Sequence, residues 1–229
     1  MRGRKVAVWT STNRCNLNCR FCFGREKREE FGTRDAKEMI RELKKGGIRH
    51  MVFSGGEPLL RKDIFTLAAH ARRLGLKTIL HTNGILVNAK NAARIARLFD
   101  IVNLPIDGAD EKKNRMMGRG SLKHTLDALD LLSVKTSVTV STVATRRNMG
   151  EMGKIARLLQ GRKIRKWRVF RFDPKLGEAK RNSRAFGISA GEFSGLKRKT
   201  KAKHAEFISP EGAFGQSYWL IASDGTIDI

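Results

Sequence analysis

Cys15-Asn16-Leu17-Asn18-Cys19-Arg20-Phe21-Cys22 contains every cysteine of the 229-residue chain. Three thiols this close cannot all pair as disulfides, and they are too crowded for ordinary core positions. Spacings of three and then two residues suit a loop that wraps a metal group. Three thiolates without a fourth leave one coordination position open. A site-differentiated [4Fe-4S] cluster fits that description, with three irons on thiolate and the fourth left for an outside ligand. Two alternatives stand beside it: zinc and inert cysteines. A zinc site would need a fourth ligand, usually within the loop or in a second knuckle, and His50, His70, His81, His124 and His204 lie at no knuckle spacing from the cysteines.

Outward from this loop, short apolar runs alternate with amphipathic stretches. Strands are expected at residues 6–10, 50–54, 77–82, 101–106, 136–143 and 167–172. Helices are expected at 33–45, with Thr33 as N-cap, then at 63–74, 88–98, 121–132 and 148–159, with a sixth within 189–201. Six strand-then-helix units imply parallel strands joined by right-handed crossovers. Six are too few to close an eight-stranded barrel. The expected fold is therefore α/β, an open (βα)6 partial barrel whose functional rim lies at the C-terminal ends of the strands. The last residues, with a turn at Asp224-Gly225-Thr226, read as a β-hairpin from 217 to 229. Residues 1–172 form the core in this reading, and 173–229 an extension packed on it rather than an independent domain.

The placement gathers chemistry on one rim. The cysteine loop leaves strand one, Gly55-Gly56-Glu57-Pro58 leaves strand two, Thr82-Asn83-Gly84 leaves strand three, and Pro105-Ile106-Asp107-Gly108 leaves strand four. Two glycines let backbone approach a ligand closely and present peptide carbonyls to a cationic amine. Asp107 and Asp110 are read as caps of the loop after strand four. His81 is read as structural, and Trp167 and Trp219 as core or pocket wall.

Composition bounds the partners. Forty-seven Lys+Arg against 22 Asp+Glu give a formal charge of +25. Such a charge suits a polyanion, either nucleic acid or a nucleotide phosphate, although cations spread along the chain also describe a generally basic surface. Lys197-Arg198-Lys199-Thr200-Lys201-Ala202-Lys203 is the densest run, read as a solvated helix end. No apolar run is long enough for a membrane span, and the basic start at Met1-Arg2-Gly3-Arg4-Lys5 leads into too short an apolar stretch for a signal peptide. A cytoplasmic location is expected, where thiols stay reduced.

Cys-x3-Cys-x2-Cys with Phe21 before the last cysteine, followed by Gly-Gly-Glu-Pro after strand two, resembles the radical S-adenosylmethionine superfamily. The resemblance implies that Cys15, Cys19 and Cys22 hold a [4Fe-4S] cluster. It places Phe21 by the adenine of S-adenosylmethionine. Gly55, Gly56 and Glu57 would meet the methionyl amine, and Thr82 and Asn83 the methionine and ribose. It further implies a reductant protein that supplies the cluster's electron, and hydrogen abstraction from a substrate by a 5′-deoxyadenosyl radical.

Within that superfamily, residues 54–59, Gly118-Arg119-Gly120, Lys166-Trp167-Arg168-Val169-Phe170, Phe186-Gly187-Ile188-Ser189 and Ser217-Tyr218-Trp219-Leu220-Ile221 resemble the viperin-like enzymes, which dehydrate a nucleoside triphosphate, typically CTP. This implies Arg119 at the S-adenosylmethionine carboxylate, Lys166 and Arg168 at a triphosphate, and Tyr218 in the substrate pocket. Four features depart from the viperin pattern: Phe23-Gly24 in place of Phe-His, Thr139-Val140-Ser141 without a lysine and asparagine, Pro105 in place of serine, and an end at Ile229 without a covering C-terminal segment. RNA or peptide modification is the alternative substrate class. A basic nucleic-acid-binding module with a structural metal is the alternative of another class.

Overall fold

A computed structural model describes residues 5–22, 28–175, 177–210 and 218–228. Met1 to Arg4, Phe23, Gly24, Ser217 and Ile229, all used in the sequence reading, lie outside the described residues. The strands are β1 (Val6–Thr10), β2 (His50–Ser54), β3 (Lys77–His81), β4 (Ile101–Pro105), β5 (Ser137–Ala144), β6 (Lys166–Arg171), β7 (Ala205–Ile208), β8 (Tyr218–Ile221) and β9 (Ile227–Asp228). The helices are α1 (Thr33–Lys45), α2 (Ile64–Arg73), α3 (Ala89–Leu98), α4 (Glu111–Met116), α5 (Leu122–Ser133), α6 (Met152–Leu159), α7 (Gly177–Arg181), α8 (Ser183–Phe186) and α9 (Ala190–Lys199).

One sheet runs β7-β6-β5-β4-β3-β2-β1-β8-β9. Every neighbouring pair is parallel except β8 with β9. The architecture is an α/β partial barrel, as expected, but with eight parallel strands rather than six. β7 follows the lysine-rich run and is only four residues long, so it carries no readable alternation. β8 pairs with β1 across 212 positions, with Val6 beside Tyr218, a contact no local pattern encodes. The terminal hairpin is present as β8 and β9, and its first strand extends the barrel. No helix among the described residues is long and apolar enough to cross a membrane.

Helical spacing explains the outer layer. In α1, Ala36, Ile40 and Leu43 are buried on one face, and Gly47, at φ 91, turns the chain out of the helix. The N-cap is Gly32 rather than Thr33, because the Thr33 hydroxyl donates to Asp63 Oδ2 at 2.6 Å. Between sheet and helices, Trp9, Phe53 and Phe99 pack edge to face at centroid distances of 6.1 and 5.7 Å.

The loop after β4 holds α4, which the sequence reading did not separate. Asp110 caps it as expected, accepting from Lys113 N–H at 2.7 Å. Glu111 then caps the next helix from outside, accepting from the Lys123 N–H at 2.8 Å and the Ser121 hydroxyl at 2.9 Å. The Lys123 backbone bond is the largest influence drawing its carboxyl down from 4.5 to about 2. A depressed carboxylate pKa adds stability that is present above the unfolded value and lost as pH falls through the folded one. Glu111→Gln should therefore flatten the decline of Tm between pH 4.5 and 2. An unchanged decline in thermal scans across that window would contradict the assignment.

Candidate active site

The cysteine loop is held by backbone packed against the Gly-Gly turn. Gly56 N–H donates to Thr12 O at 2.8 Å, and Glu57 N–H donates to Arg14 O at 2.7 Å. A Cβ on Gly56 would lie 2.1 Å from Arg14 O, and one on Gly55, at φ 133, would lie 2.4 Å from Thr12 O. These glycines are thus required first by the neighbouring chain. Two side chains absent from the sequence reading brace the same segment. Glu30 accepts from the Thr12 hydroxyl at 2.8 Å and Asn13 N–H at 2.7 Å. Arg61, beside Lys62 in the sequence, is 5% exposed. It donates to Ser11 O and Phe31 O, both at 2.7 Å, and lies over the Trp9 ring.

Cys15, Cys19 and Cys22 line one cavity of about 210 Å³ with Gly55, Gly56 and Arg119. His81 lines it too, so a Cys3His zinc site is the arrangement to exclude. Among the described residues, no three Cys, His, Asp or Glu side chains converge closely enough to hold a single ion. A zinc site puts every ligand about 2.0–2.3 Å from one centre, whereas an iron–sulfur cluster spreads its thiolates over separate irons. The donor set, soft thiols facing one cavity without converging on a point, fits the cluster. Burial pushes the Cys19 thiol up, and the Arg119 guanidinium opposes this. Arg119 Nη1 donates to Cys19 Sγ at 3.6 Å.

Glu57 is fully buried. It accepts from the Thr82 hydroxyl at 2.7 Å, Asn83 N–H at 2.7 Å and Leu59 N–H at 3.1 Å. Burial raises its pKa while these donors oppose the rise. Glu57 is absent from the cavity lining; its carboxylate ties the turn after β2 to the turn after β3. Thr82 and Asn83 do line the cavity, and the Asn83 amide reaches Asn16 of the cysteine loop at 2.7 Å.

Asp107 also departs from the reading. It is fully buried and accepts from Arg119 Nε at 2.5 Å and Val143 N–H at 2.7 Å. Thus it orients Arg119 rather than capping a loop. The same guanidinium lies 5.0 Å from the Phe21 ring centroid. Phe21 borders a second cavity of about 340 Å³ with Val143, Phe170, Phe172 and Asp173; Cys19, Cys22, His81 and Arg119 are shared by both cavities.

A model of the Radical SAM superfamily matches residues 9–159. The chain belongs to the radical SAM superfamily. Fe-coproporphyrin III synthase from Methanosarcina barkeri is 35% identical over 130 residues, covering 55% of this chain and 32% of that protein. An S-adenosylmethionine-dependent nucleotide dehydratase from Lacinutrix mariniflava is 31% identical over 113 residues, covering 46% and 24%. In three dimensions the chain resembles Streptococcus suis SuiB bound to precursor peptide SuiA, with a TM-score of 0.80 and 17% identity, over 99% of this chain and 59% of that one. The chain spans about a third of the length of the first of these curated relatives.

Membership of the radical SAM superfamily implies a [4Fe-4S] cluster and S-adenosylmethionine. The residues suggested for its substrate are less gathered than those for the cofactors. Lys166 and Arg168 line neither cavity. Both pair with Glu206 of β7, at 3.2 and 3.5 Å, an acid the sequence reading lacked because β7 itself was not foreseen. Arg168 lies beside Ser141, a cavity residue, in the β5–β6 register. His81 is held neutral with a pKa of about 4, first by burial and then by Arg168. Tyr218 sits at the start of β8, its pKa raised to about 12 by burial and by the Asp173 charge. Trp167 is core, donating Nε1–H to the Thr142 hydroxyl at 2.9 Å.

Proposed function

We propose that this radical SAM enzyme abstracts hydrogen from an anionic small molecule in the barrel interior, a nucleoside triphosphate in the first instance, and dehydrates it in the viperin-like manner. When bound, the cluster and S-adenosylmethionine supply the electron and the 5′-deoxyadenosyl radical. The chain's own residues bind, orient and exclude water. Cys15, Cys19 and Cys22 hold the cluster. Arg119, fixed by Asp107, presents a cation to the S-adenosylmethionine carboxylate. Gly55 and Gly56 offer backbone to its amine, Thr82 and Asn83 steady the methionine and ribose, and Phe21 walls the adenine. The Glu57 carboxylate positions Thr82 and Asn83, and its backbone continues the Gly55-Gly56 turn that meets the amine. An external reductant protein delivers the electron. β7 and β8 extend the same sheet, pairing with β6 and β1, which supports reading 173–229 as an extension of the barrel rather than an independent domain.

The observation that carries the substrate reading is the cation pair on β6. Strand alternation puts Lys166 and Arg168 on one face of β6, and the Arg168 charge reaches His81, which borders both cavities. Glu206 offsets one of the two charges in the ligand-free chain, and a triphosphate replaces that carboxylate as counter-ion. Tyr218, on the far side of the sheet order, closes the substrate pocket. The nucleotide dehydratase likeness supports the same class.

Deuterium at C4′ of CTP should appear in the 5′-deoxyadenosine formed by the reduced, cluster-loaded protein, and Arg168→Ala should reduce that transfer on the order of tenfold or more. Absence of deuterium from CTP and from the other nucleoside triphosphates, in a preparation that cleaves S-adenosylmethionine, would reject the nucleotide substrate.

A further inference from the structure

We infer that a basic cleft at the opposite end of the barrel binds the phosphate backbone of a nucleic-acid strand. The cleft has a volume of about 680 Å³, larger than either cavity at the cysteines. It opens at the N-terminal ends of β6 and β7, where Trp167 N–H bonds to His204 O. The cluster cavities lie at the C-terminal ends, roughly 17 Å away along a six-residue strand.

Two segments distant in sequence build it. Residues 152–165 carry Lys154, Arg157, Arg162, Lys163 and Arg165; residues 193–205 carry Lys197, Arg198, Lys199, Lys201 and Lys203; neither segment contains Asp or Glu. Parallel pairing of β6 with β7 brings them together. Arg157, Arg162, Lys199, Lys201 and Lys203 line the cleft, over a floor that includes Trp167. Arg162 is tied to Asp130. Arg157, Lys199, Lys201 and Lys203 are exposed, with no carboxylate partner among the described residues.

Ordinary helix chemistry accounts for part of this. Arg157 and Lys199 lie in the last turns of α6 and α9, where cations complement the helix dipole. Lys201 and Lys203 lie beyond α9 and gain nothing from it. The two helix ends contribute about half a negative charge each, against four lining cations without a carboxylate partner, so the cleft stays strongly positive. A row of lysines and arginines with room between them fits successive phosphates. Trp167 on the floor is buried, so it offers no face for base stacking, and the lining cations direct contact to the backbone.

This inference is independent of the substrate assigned to the cluster. Fluorescence anisotropy of labelled oligo-U and oligo-dT, titrated with the 229-residue chain over a KCl series, tests it. Contact of the four unpaired cations with a single strand gives a slope of log K on log salt of about −2.8, and the variant K199A/K201A/K203A should lower that steepness by about 2. R73A/K90A/R97A removes the same charge from exposed sites on α2 and α3 and should leave both affinity and slope near wild type. Equal slopes for the two strands indicate backbone recognition, and preference for oligo-U adds a 2′-hydroxyl contact; both support the site. Release of 5′-deoxyadenosine at the wild-type rate shows that the triple variant is intact. Equal weakening by the two triple variants would overturn the proposal, since binding would then reflect net charge alone. Binding of poly-glutamate in place of either strand would overturn it too, and would reassign the cleft to an acidic protein.

Discussion

Gly56→Ala is expected to lower stability by about 3 kcal/mol or more and to strip the protein of most of its iron. Ordinary overpacking costs about 1–3 kcal/mol, but here the new methyl would meet Arg14 O at 2.1 Å. That atom is backbone and already accepts the Glu57 N–H at 2.7 Å, so rotamer change gives no relief. The segment that must move runs directly into Cys15. For a chain of this length, about 3 kcal/mol corresponds to a Tm fall of roughly 6–12 °C. Iron after anaerobic reconstitution should drop from about four per chain to a small fraction of that. Gly153→Ala provides the contrast, because a Cβ there, on α6, meets nothing within 4 Å. It should stabilise by about 0.5–1 kcal/mol through helix propensity and leave iron unchanged. Equal iron and Tm in wild type and Gly56→Ala would show that the cysteine loop does not depend on the glycine turn.

Arg119→Met should destabilise by about 3–5 kcal/mol, because it leaves Asp107 buried without its guanidinium. Asp107 is fully inaccessible, whereas Arg119 retains 20% of its side-chain surface. The stability loss therefore belongs mainly to the stranded carboxylate. Arg119→Met combined with Asp107→Asn should recover much of it, giving a coupling of opposite sign to the single losses. Arg119→Lys separates folding from ligand binding. It retains a charge near Asp107 but loses the planar fork. A charge-assisted hydrogen bond is worth about 1.5–3 kcal/mol, so the Kd for S-adenosylmethionine should rise about 10–100-fold. Unchanged affinity in Arg119→Lys would remove Arg119 from the binding site.

What the sequence revealed is local, and what it concealed is paired across distance. The cysteine spacing, the Gly-Gly turn and the β-branched run of β5 are contiguous signals, and each lies where alternation predicted. Asp107 and Arg119 are twelve residues apart in the loops on either side of α4, so nothing in either neighbourhood announces a buried ion pair. Arg61 sits next to Lys62 and reads as a basic surface dipeptide, yet it is buried with three oxygen partners. Glu57 was legible as important, but its direction was not. The strand ends bring Thr82 and Asn83 to its carboxylate, and that depends on the β2–β3 register. β7 and β8 join opposite sides of the parallel array through pairings with β6 and β1, which is why a count of six strands came out two short. Glu206, hidden with β7, changes the meaning of Lys166 and Arg168 from free cations to a pair with a resident counter-ion.

Reductive cleavage of S-adenosylmethionine is the most direct test of the central assignment. Anaerobically reconstituted protein, reduced with dithionite and given S-adenosylmethionine, should release 5′-deoxyadenosine and methionine, and Cys19→Ala should abolish the release. A preparation with about four irons per chain that forms no 5′-deoxyadenosine would contradict the account, as would release that persists in Cys19→Ala.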